Sequence, residues 1–271
     1  MTTWLFSKDE LERKSPSLQD GMDARTEASY RGYYSTFAQE LGKKLQVSQM
    51  TVATAITFCH RFYTRQSLLR NNCLIVATSC MLLATKVEET HRYLKEVVFI
   101  SYELRNRDDP KALERIMEDR DLYVSEKQLV LYGERLVLTT IEFDLSVVNP
   151  HKPLVATLKR LRILKQDLVQ RAWNFLNDGL RTTLVLQFKP GQVAAGAIYV
   201  AARLLKIKLP EEEGGRFWWH ELDVTPVLLE EIASQLLEVY DNPSLLSPAE
   251  QRNGRSSREN GDAFTSSQTF S

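Results

Sequence analysis

The sequence has few backbone breakers and no surplus of either charge. Its 271 residues include 11 glycines and 9 prolines, and 35 Lys and Arg residues balance 35 Asp and Glu residues. A chain that grips nucleic acid through many phosphate contacts usually carries excess Lys and Arg, so the balance argues against that function for the chain as a whole. The scarcity of Gly and Pro, beside 43% apolar residues, indicates an all-α protein with a substantial core.

Long hydrophobic runs are also missing. The longest apolar stretches, residues 73–84 and 193–205, are about 12 residues long, whereas a membrane span needs about 20. Residues 1–11 contain no apolar run of the secretory type. We therefore expect neither a membrane protein nor a secreted one.

Cysteine is scarce, and its spacing indicates no metal site. The three cysteines, Cys59, Cys73 and Cys80, lie inside apolar helical patterns and form no C-x-x-C motif. Cys59 is followed by His60, but neighbouring helical side chains point about 100° apart, so the two make a poor nucleophile and base. The sequence predicts reduced core cysteines, no metal, no cofactor and no catalytic group.

Apolar residues spaced three and four apart predict helices along most of the chain. In the first half these cover 23–45, a segment starting at 48, 73–84, 93–105 and 125–142. After a predicted linker at 149–153, which holds two prolines, they cover 154–164, 168–186, 193–205 and 227–240. The third helix of each half is apolar nearly all round, as is typical of a helix surrounded by others, and this indicates an internal duplication.

The same pattern divides the chain into four parts. They are an N-terminal segment over 1–22, a first domain over 23–148, a second over 149–240 and a disordered tail over 241–271, where the helical pattern stops.

One local basic cluster lies in the second half. A single cluster of this kind is usually a solvated face, so direct nucleic-acid binding is not expected. The cluster comprises Lys159, Arg160, Arg162, Lys165 and Arg171.

The end of the third helix is more informative. Lys86 emerges directly from the all-apolar helix, and its charge cannot be fully buried without a partner. A lysine suits the C-terminal end of a helix, but Glu88 and Glu89 oppose the helix dipole there. The two acids therefore favour a second use of this junction, such as binding.

Several segments, in this order, resemble the cyclin family, and among cyclins the transcriptional cyclin T and K type. They are Trp4-Leu5-Phe6, Ser15-Pro16-Ser17, His60-Arg61-Phe62-Tyr63, the run from Leu83 to Glu89 (LATKVEE), Glu134 placed nine residues before Phe143-Asp144-Leu145, Leu186-Gln187-Phe188 and Trp218-Trp219. The resemblance extends over residues 25 to 240 and implies two tandem five-helix cyclin boxes.

The resemblance implies a regulatory subunit and not an enzyme. In the family, the helices matching 73–89 and 125–142 dock on the small lobe of a cyclin-dependent kinase and hold its mobile helix inward. By position, Lys86 and Glu134 would form the polar centre of that contact. The flanking residues would be Leu82, Glu89 and Phe143, with Trp4 and Phe6 at the rim. The implied partner is a kinase of the transcription-elongation type, which acts in the nucleus on the C-terminal tail of RNA polymerase II.

Two alternatives remain: a cell-cycle or other transcriptional cyclin, and a DNA-binding general transcription factor with the cyclin fold. His60 stands where mitotic and S-phase cyclins have Asp, and Tyr33, Tyr34 and Phe37 replace their tryptophan-containing docking patch. Both departures favour a transcriptional role. The DNA-binding family carries a zinc ribbon and a basic core, and three scattered cysteines with zero net charge argue against it.

Overall fold

A computed structural model describes residues 4–163, 165–209, 211–212 and 216–241. Within these residues the chain forms thirteen α-helices, one 3-10 turn and one two-stranded ribbon of minimal length, and the predicted all-α fold is confirmed. The tail predicted to be disordered lies outside the described residues from position 242 onward.

The helices follow the chain in two groups. The N-terminal and first-half helices are α1 (Lys8–Lys14), α2 (Pro16–Gln19), α3 (Ala24–Lys44), α4 (Gln49–Tyr63), α5 (Cys73–Val87), α6 (Leu94–Arg105), α7 (Ala112–Glu118) and α8 (Arg120–Thr140). The second-half elements are α9 (His151–Arg160), α10 (Gln166–Gly179), α11 (Leu184–Gln187), α12 (Pro190–Leu204), β1 (Glu211–Glu212), β2 (Arg216–Phe217), the 3-10 turn His220–Leu222 and α13 (Pro226–Asp241).

Polar side chains fix several of the helix starts. Asp23 accepts a hydrogen bond from the Thr26 amide at 2.9 Å, and Ser48 accepts one from the Thr51 amide at 3.2 Å. Asp23 and Ser48 are thus the N-caps of α3 and α4. Each satisfies one backbone N–H that has no partner within its helix.

Three predicted boundaries are wrong. Residues 149–153 are not a linker, because α9 begins at His151 with Pro153 in its first turn, where a missing N–H costs nothing. Helix α10 ends at Gly179, and the predicted helix over 168–186 is completed by the separate short α11. Helix α8 starts at Arg120 rather than 125, because Asp119 caps it with bonds to the amides of 121 and 122.

Two hydrophobic cores build the molecule, one around α5 and one around α12. Helix α5 packs against α3, α4, α6 and α8, and α12 packs against α9, α10, α11 and α13. Both central helices are buried over most of their length, because neither sequence offers a polar face. The first half contains one more helix than the five expected, the short α7.

A polar seam joins the two halves. His60 Nε2 lies 2.8 Å from the Leu180 carbonyl oxygen, which can only accept, so this nitrogen carries the proton. His60 Nδ1 then accepts from the Tyr34 hydroxyl at 2.6 Å. Complete burial lowers the pKa of His60 to about 3, because the charged ring would lose its hydration. His60 is therefore a neutral bridge between the halves.

The cysteines are core residues, as predicted. Cys59, Cys73 and Cys80 are buried and unpaired, and burial raises the pKa of the Cys73 thiol to about 11. Among the described residues, no three His, Cys, Asp or Glu side chains converge on one point where a metal could sit. No helix in the described part of the chain is long and apolar enough to cross a bilayer.

Candidate functional site

An ion pair between α5 and α8 forms the centre of the candidate site. Lys86, in the last turn of α5, places Nζ 2.6 Å from Glu134 Oε1 on α8. The lysine side chain is 50% exposed and the glutamate side chain 10%. The packing of α5 against α8 therefore buries Glu134. The ion pair with Glu134 fixes the position of the Lys86 ammonium group, which remains half exposed to solvent.

The two glutamates that end α5 differ in their partners. Glu88 accepts the Thr54 hydroxyl at 2.6 Å, which ties the end of α5 to α4. Among the described residues no side-chain bond or ion pair holds the Glu89 carboxylate, and Glu89 is exposed. Glu89 adopts a left-handed backbone with φ of 53°, which turns the chain sharply away from the helix. Glu88 therefore anchors the end of α5, whereas Glu89 faces solvent.

The close approach of α5 and α8 depends on a glycine. A Cβ at Gly133, next to Glu134, would overlap the Ser79 hydroxyl on α5. Ser79 Oγ instead donates to the Val130 carbonyl oxygen at 3.0 Å across the two helices. The missing side chain lets the helices meet closely enough for Lys86 to reach Glu134.

The turn after α8 carries an exposed aromatic residue. Phe143 is 64% exposed. It lies two residues after Ile141, the buried residue that caps the C-terminal end of α8. Glu142 and Phe143 are both left-handed, with φ of 56° and 57°. The turn therefore points the ring outward near the end of α8 and does not bury it in the core.

Two further apolar side chains on α8 are exposed, and the sequence analysis missed them. Leu129 is 46% and Tyr132 68% exposed. They are three residues apart and so share one helix face. At about 100° per residue both side chains point away from Glu134, so they lie on a different side of α8 from the ion pair.

The structure buries two of the residues expected at the contact, Leu82 and Trp4, and half-buries a third, Phe6. Leu82 is 3% exposed and packs within the first core, so it supports the site from inside. Trp4 is 7% exposed, which leaves almost none of its ring for a partner. Phe6 is half-buried against the same core, and its amide donates to the Leu186 carbonyl oxygen at 2.8 Å.

Two arginines, Arg61 in the last turn of α4 and Arg65 just after it, hold the turn, and the sequence analysis gave them no such role. Arg61 donates to the carbonyl oxygens of Asp144 and Ser146 at 2.9 and 2.8 Å. Arg65 donates to the Thr140 carbonyl oxygen at 2.8 Å. Burial lowers the pKa of Arg61, and nearby Asp144 opposes that shift. Arg61 belongs to the His60–Tyr63 segment, but no spacing rule links that segment to a turn some 80 residues later.

The basic cluster does not form one continuous free surface. Arg160 donates to the Trp218 carbonyl oxygen at 3.1 Å and forms an ion pair with Glu221. Lys159, Arg162 and Lys165 are exposed around the end of α9. Arg171 lies on α10, where it lines a cleft of about 660 Å³ between the two halves.

Comparison with family models matches both halves of the chain. The model for the cyclin N-terminal domain matches residues 3–146, and that for the cyclin-T2-like C-terminal domain matches residues 149–239. Cyclin-T1-3 of Oryza sativa subsp. japonica is 50% identical over 251 residues, which cover 93% of this chain and 51% of that protein. Cyclin-T1-5 of Arabidopsis thaliana is 51% identical over 241 residues, which cover 89% and 41%. The chain thus spans about half the length of these relatives.

Solved structures share the fold at low identity. The yeast RNA polymerase II C-terminal-domain kinase complex CTDK-1 contains a chain with a TM-score of 0.75 and 19% identity, with 98% of this chain and 86% of that one covered. A chain of the Chaetomium thermophilum CAK complex has a TM-score of 0.61 and 16% identity, with coverage of 99% and 95%. With both domain models matched in order and relatives at 50% identity, the chain belongs to the cyclin family, and its second domain is of the cyclin T2 type.

Proposed function

We propose that this chain is the regulatory subunit of a cyclin-dependent kinase of the transcription-elongation type and promotes phosphorylation of the RNA polymerase II C-terminal domain in the nucleus. The observation that carries the proposal is the face formed by α5 and α8. It combines a fixed ion pair, Lys86 with Glu134, an exposed acid at Glu89 that has no side-chain partner within the described part of the chain, and an exposed ring at Phe143. We name these four residues the docking face.

The docking face suits a partner that offers backbone polar groups and an apolar surface. Lys86 can donate to carbonyl oxygens while it remains paired with Glu134, because an ammonium group has three donors. Phe143 supplies exposed apolar area that can exclude water at the edge of the contact. Fixed charges at the centre of such a contact select the partner and set its orientation more than they add affinity.

The mechanism is a shift of population in the partner. A kinase is active when its own Lys–Glu ion pair is formed and ATP is positioned. A subunit that binds the inward position of the kinase helix more tightly than the outward one stabilises that active state. The cyclin chain needs no catalytic group of its own for this role.

Support for the transcriptional class comes from the relatives. The similar curated proteins are named as T-type cyclins, and the CTDK-1 complex is named as a kinase of the polymerase C-terminal domain. A cell-cycle or other transcriptional cyclin would use a comparable face with a different kinase. The kinase bound and the substrate phosphorylated separate these alternatives.

The test is co-purification with cyclin-dependent kinases of Arabidopsis thaliana, followed by phosphorylation of a polymerase-tail peptide and of a histone. The wild-type chain should bind a kinase and activate it toward the tail peptide. The variants Lys86→Glu and Glu134→Lys should lose both properties while keeping their helix content. Lys159→Glu, at the last turn of α9, and Glu231→Lys, on α13, are the matched control reversals and should behave as wild type.

Unchanged binding by Lys86→Glu and Glu134→Lys would show that the docking face is wrong. Preference for the histone would favour the cell-cycle alternative. Strong, salt-dependent binding of DNA by the chain alone in a gel-shift titration, lost in Lys159→Glu, would favour the DNA-binding alternative.

A further inference from the structure

The turn that carries Phe143 is strained. Glu142 and Phe143 are consecutive residues with positive φ, and neither is glycine. A left-handed conformation is unfavourable for residues with a Cβ, and it persists only where the surroundings hold it. Such strain is often kept at functional sites, so the contacts that hold this turn bear on function.

Arg61 and Arg65, at and just after the C-terminal end of α4, hold the turn from both sides of Phe143. Arg65 bonds the Thr140 carbonyl oxygen and forms an ion pair with Glu142 at 2.6 Å. Arg61 bonds the two carbonyl oxygens that follow Phe143, those of Asp144 and Ser146. These are charge-assisted hydrogen bonds in a partly buried setting, so their geometry is well defined.

Trp4 fixes both arginines and the turn at once. The guanidinium carbons of Arg65 and Arg61 lie 4.6 and 5.1 Å from the centre of the Trp4 ring, within the range of cation–π contact. The indole N–H donates to the Asp144 carboxylate at 2.9 Å. Trp4 lies 140 residues from Asp144 in sequence, so this is a tertiary contact and not a local one.

The segment that delivers Trp4 is itself anchored on the second half of the chain. We call residues 4–6 the strap. Its last residue, Phe6, donates its amide to the Leu186 carbonyl oxygen of α11. The strap therefore runs from the strained turn to the second half, and both of its ends are bonded.

We infer that Trp4 is a positioning residue for kinase binding: it acts through Asp144, Arg61 and Arg65 to hold the turn that presents Phe143. The effect of Trp4 on kinase binding rests on the proposed function, but the effect of Trp4 on the position of the turn can be measured without a kinase. Trp4 has no direct contact with the partner in this account, because its ring is covered by its own chain.

Hydrogen exchange tests the positioning directly. The Phe143 and Asp144 amides donate to the carbonyl oxygens of Leu138 and Ile141. Trp4→Ala should speed exchange of these two amides by about tenfold or more and leave the α5 amides unchanged.

Trp4→Phe, which keeps a ring and loses the N–H, should give a smaller increase in the exchange rate. This variant also guards against a misfolded alanine variant. Trp219→Ala, which removes a partly buried tryptophan from the second half, is the matched control. Equal exchange at 143 and 144 in the wild type and both Trp4 variants would overturn the inference.

A double-mutant cycle tests the consequence for binding. Affinity for the co-purifying kinase is measured for Trp4→Ala, Phe143→Ala and the double variant. If Trp4 acts by presenting Phe143, each single change weakens binding and the double variant is no weaker than Phe143→Ala alone. Additive losses would overturn the inference while leaving the docking face intact. If Phe143→Ala bound the kinase as tightly as the wild type, Phe143 would not belong to the docking face, and the inference about Trp4 would be overturned. This would hold even if Lys86→Glu still abolished binding.

Discussion

At the scale of single residues, the Lys86–Glu134 pair is better suited to recognition than to stability. Half of the lysine side chain is exposed, and ion pairs near solvent contribute little to folding. Loss of the ion pair would cost Glu134 more than Lys86, because Glu134 is nearly buried and an unpaired buried carboxylate is unfavourable, whereas Lys86 can be hydrated. The pair thus keeps a partly desolvated charge in a fixed position, as the proposed kinase contact requires.

His60 gives the chain an acid-sensitive stability. Unfolded histidine takes up a proton below its ordinary pKa of about 6.5, whereas folded His60 stays neutral down to about pH 3. Its contribution is therefore complete above pH 6.5 and is lost as the pH falls through the window between these values. Lowering the pH from 7 to 5 should reduce the free energy of unfolding by about 2 kcal/mol through this residue, as measured by urea titration.

His60→Gln supplies the control for that prediction. The variant should be less stable at pH 7, because Tyr34 and Leu180 lose a well-placed partner. Its loss of stability between pH 7 and pH 5 should be smaller than that of the wild type. His151 is also buried with a lowered pKa and contributes in the same direction to both proteins. Identical pH dependence of the two proteins would contradict the assignment.

At the scale of elements, the long amphipathic and all-apolar helices could be predicted from the sequence. The spacing of apolar residues located α3, α5, α6 and α12 to within a few residues, because burial of one face or of all faces fixes that pattern. Helix α7 was missed, because it is short and follows a loop rich in charge. The predicted start of α9 at residue 154 is three residues late. The reason is that proline disrupts the interior of a helix but is accepted in its first turn.

The docking face could be predicted only in part. Lys86 is conspicuous in the sequence, since a charge follows a helix with no polar face. The partner of Lys86 came from family resemblance and not from spacing. The burial of Trp4 and Leu82, and the roles of Arg61 and Arg65, depend on tertiary contacts across many residues, which no local pattern encodes.

The crossing of α5 and α8 gives a prediction at this scale. Gly133→Ala should destabilise the protein by about 1–3 kcal/mol, although alanine favours helices, because its Cβ overlaps Ser79. The substitution should also weaken kinase binding, because relief of the overlap would shift α8 away from α5 and separate Glu134 from Lys86. Thermal unfolding and a binding assay on the same samples measure both effects.

Gly191→Ala is the matched control for the glycine substitution. A Cβ there would lie 3.3 Å from a terminal methyl group of Leu222, a flexible side chain that can give way. Its stability should stay close to that of the wild type. If Gly133→Ala were as stable as Gly191→Ala, the close helix approach would not need the glycine.

At the scale of the whole molecule, the two halves should unfold together. Leu180 of the second half packs in the first core, and its carbonyl oxygen accepts from His60. Asn177 accepts from Gln49 at 2.9 Å, and its backbone carbonyl oxygen accepts from Gln39 at 3.2 Å. Scanning calorimetry should give one transition, with calorimetric and van't Hoff enthalpies equal. Two resolved transitions would mean that the seam adds little to cooperativity.

The central claim is that Lys86 and Glu134 recognise a kinase and do not merely hold α5 to α8. Exchanging the two charges in one double variant, Lys86→Glu with Glu134→Lys, separates these roles, because the pair can still form within the chain. The direct measurement is activation of the co-purified kinase on a polymerase-tail peptide, beside the melting temperature of the free cyclin chain. The account predicts that the exchanged variant melts near the wild type but binds the kinase at least about thirtyfold more weakly and fails to activate it. Binding and activation at wild-type levels would contradict it.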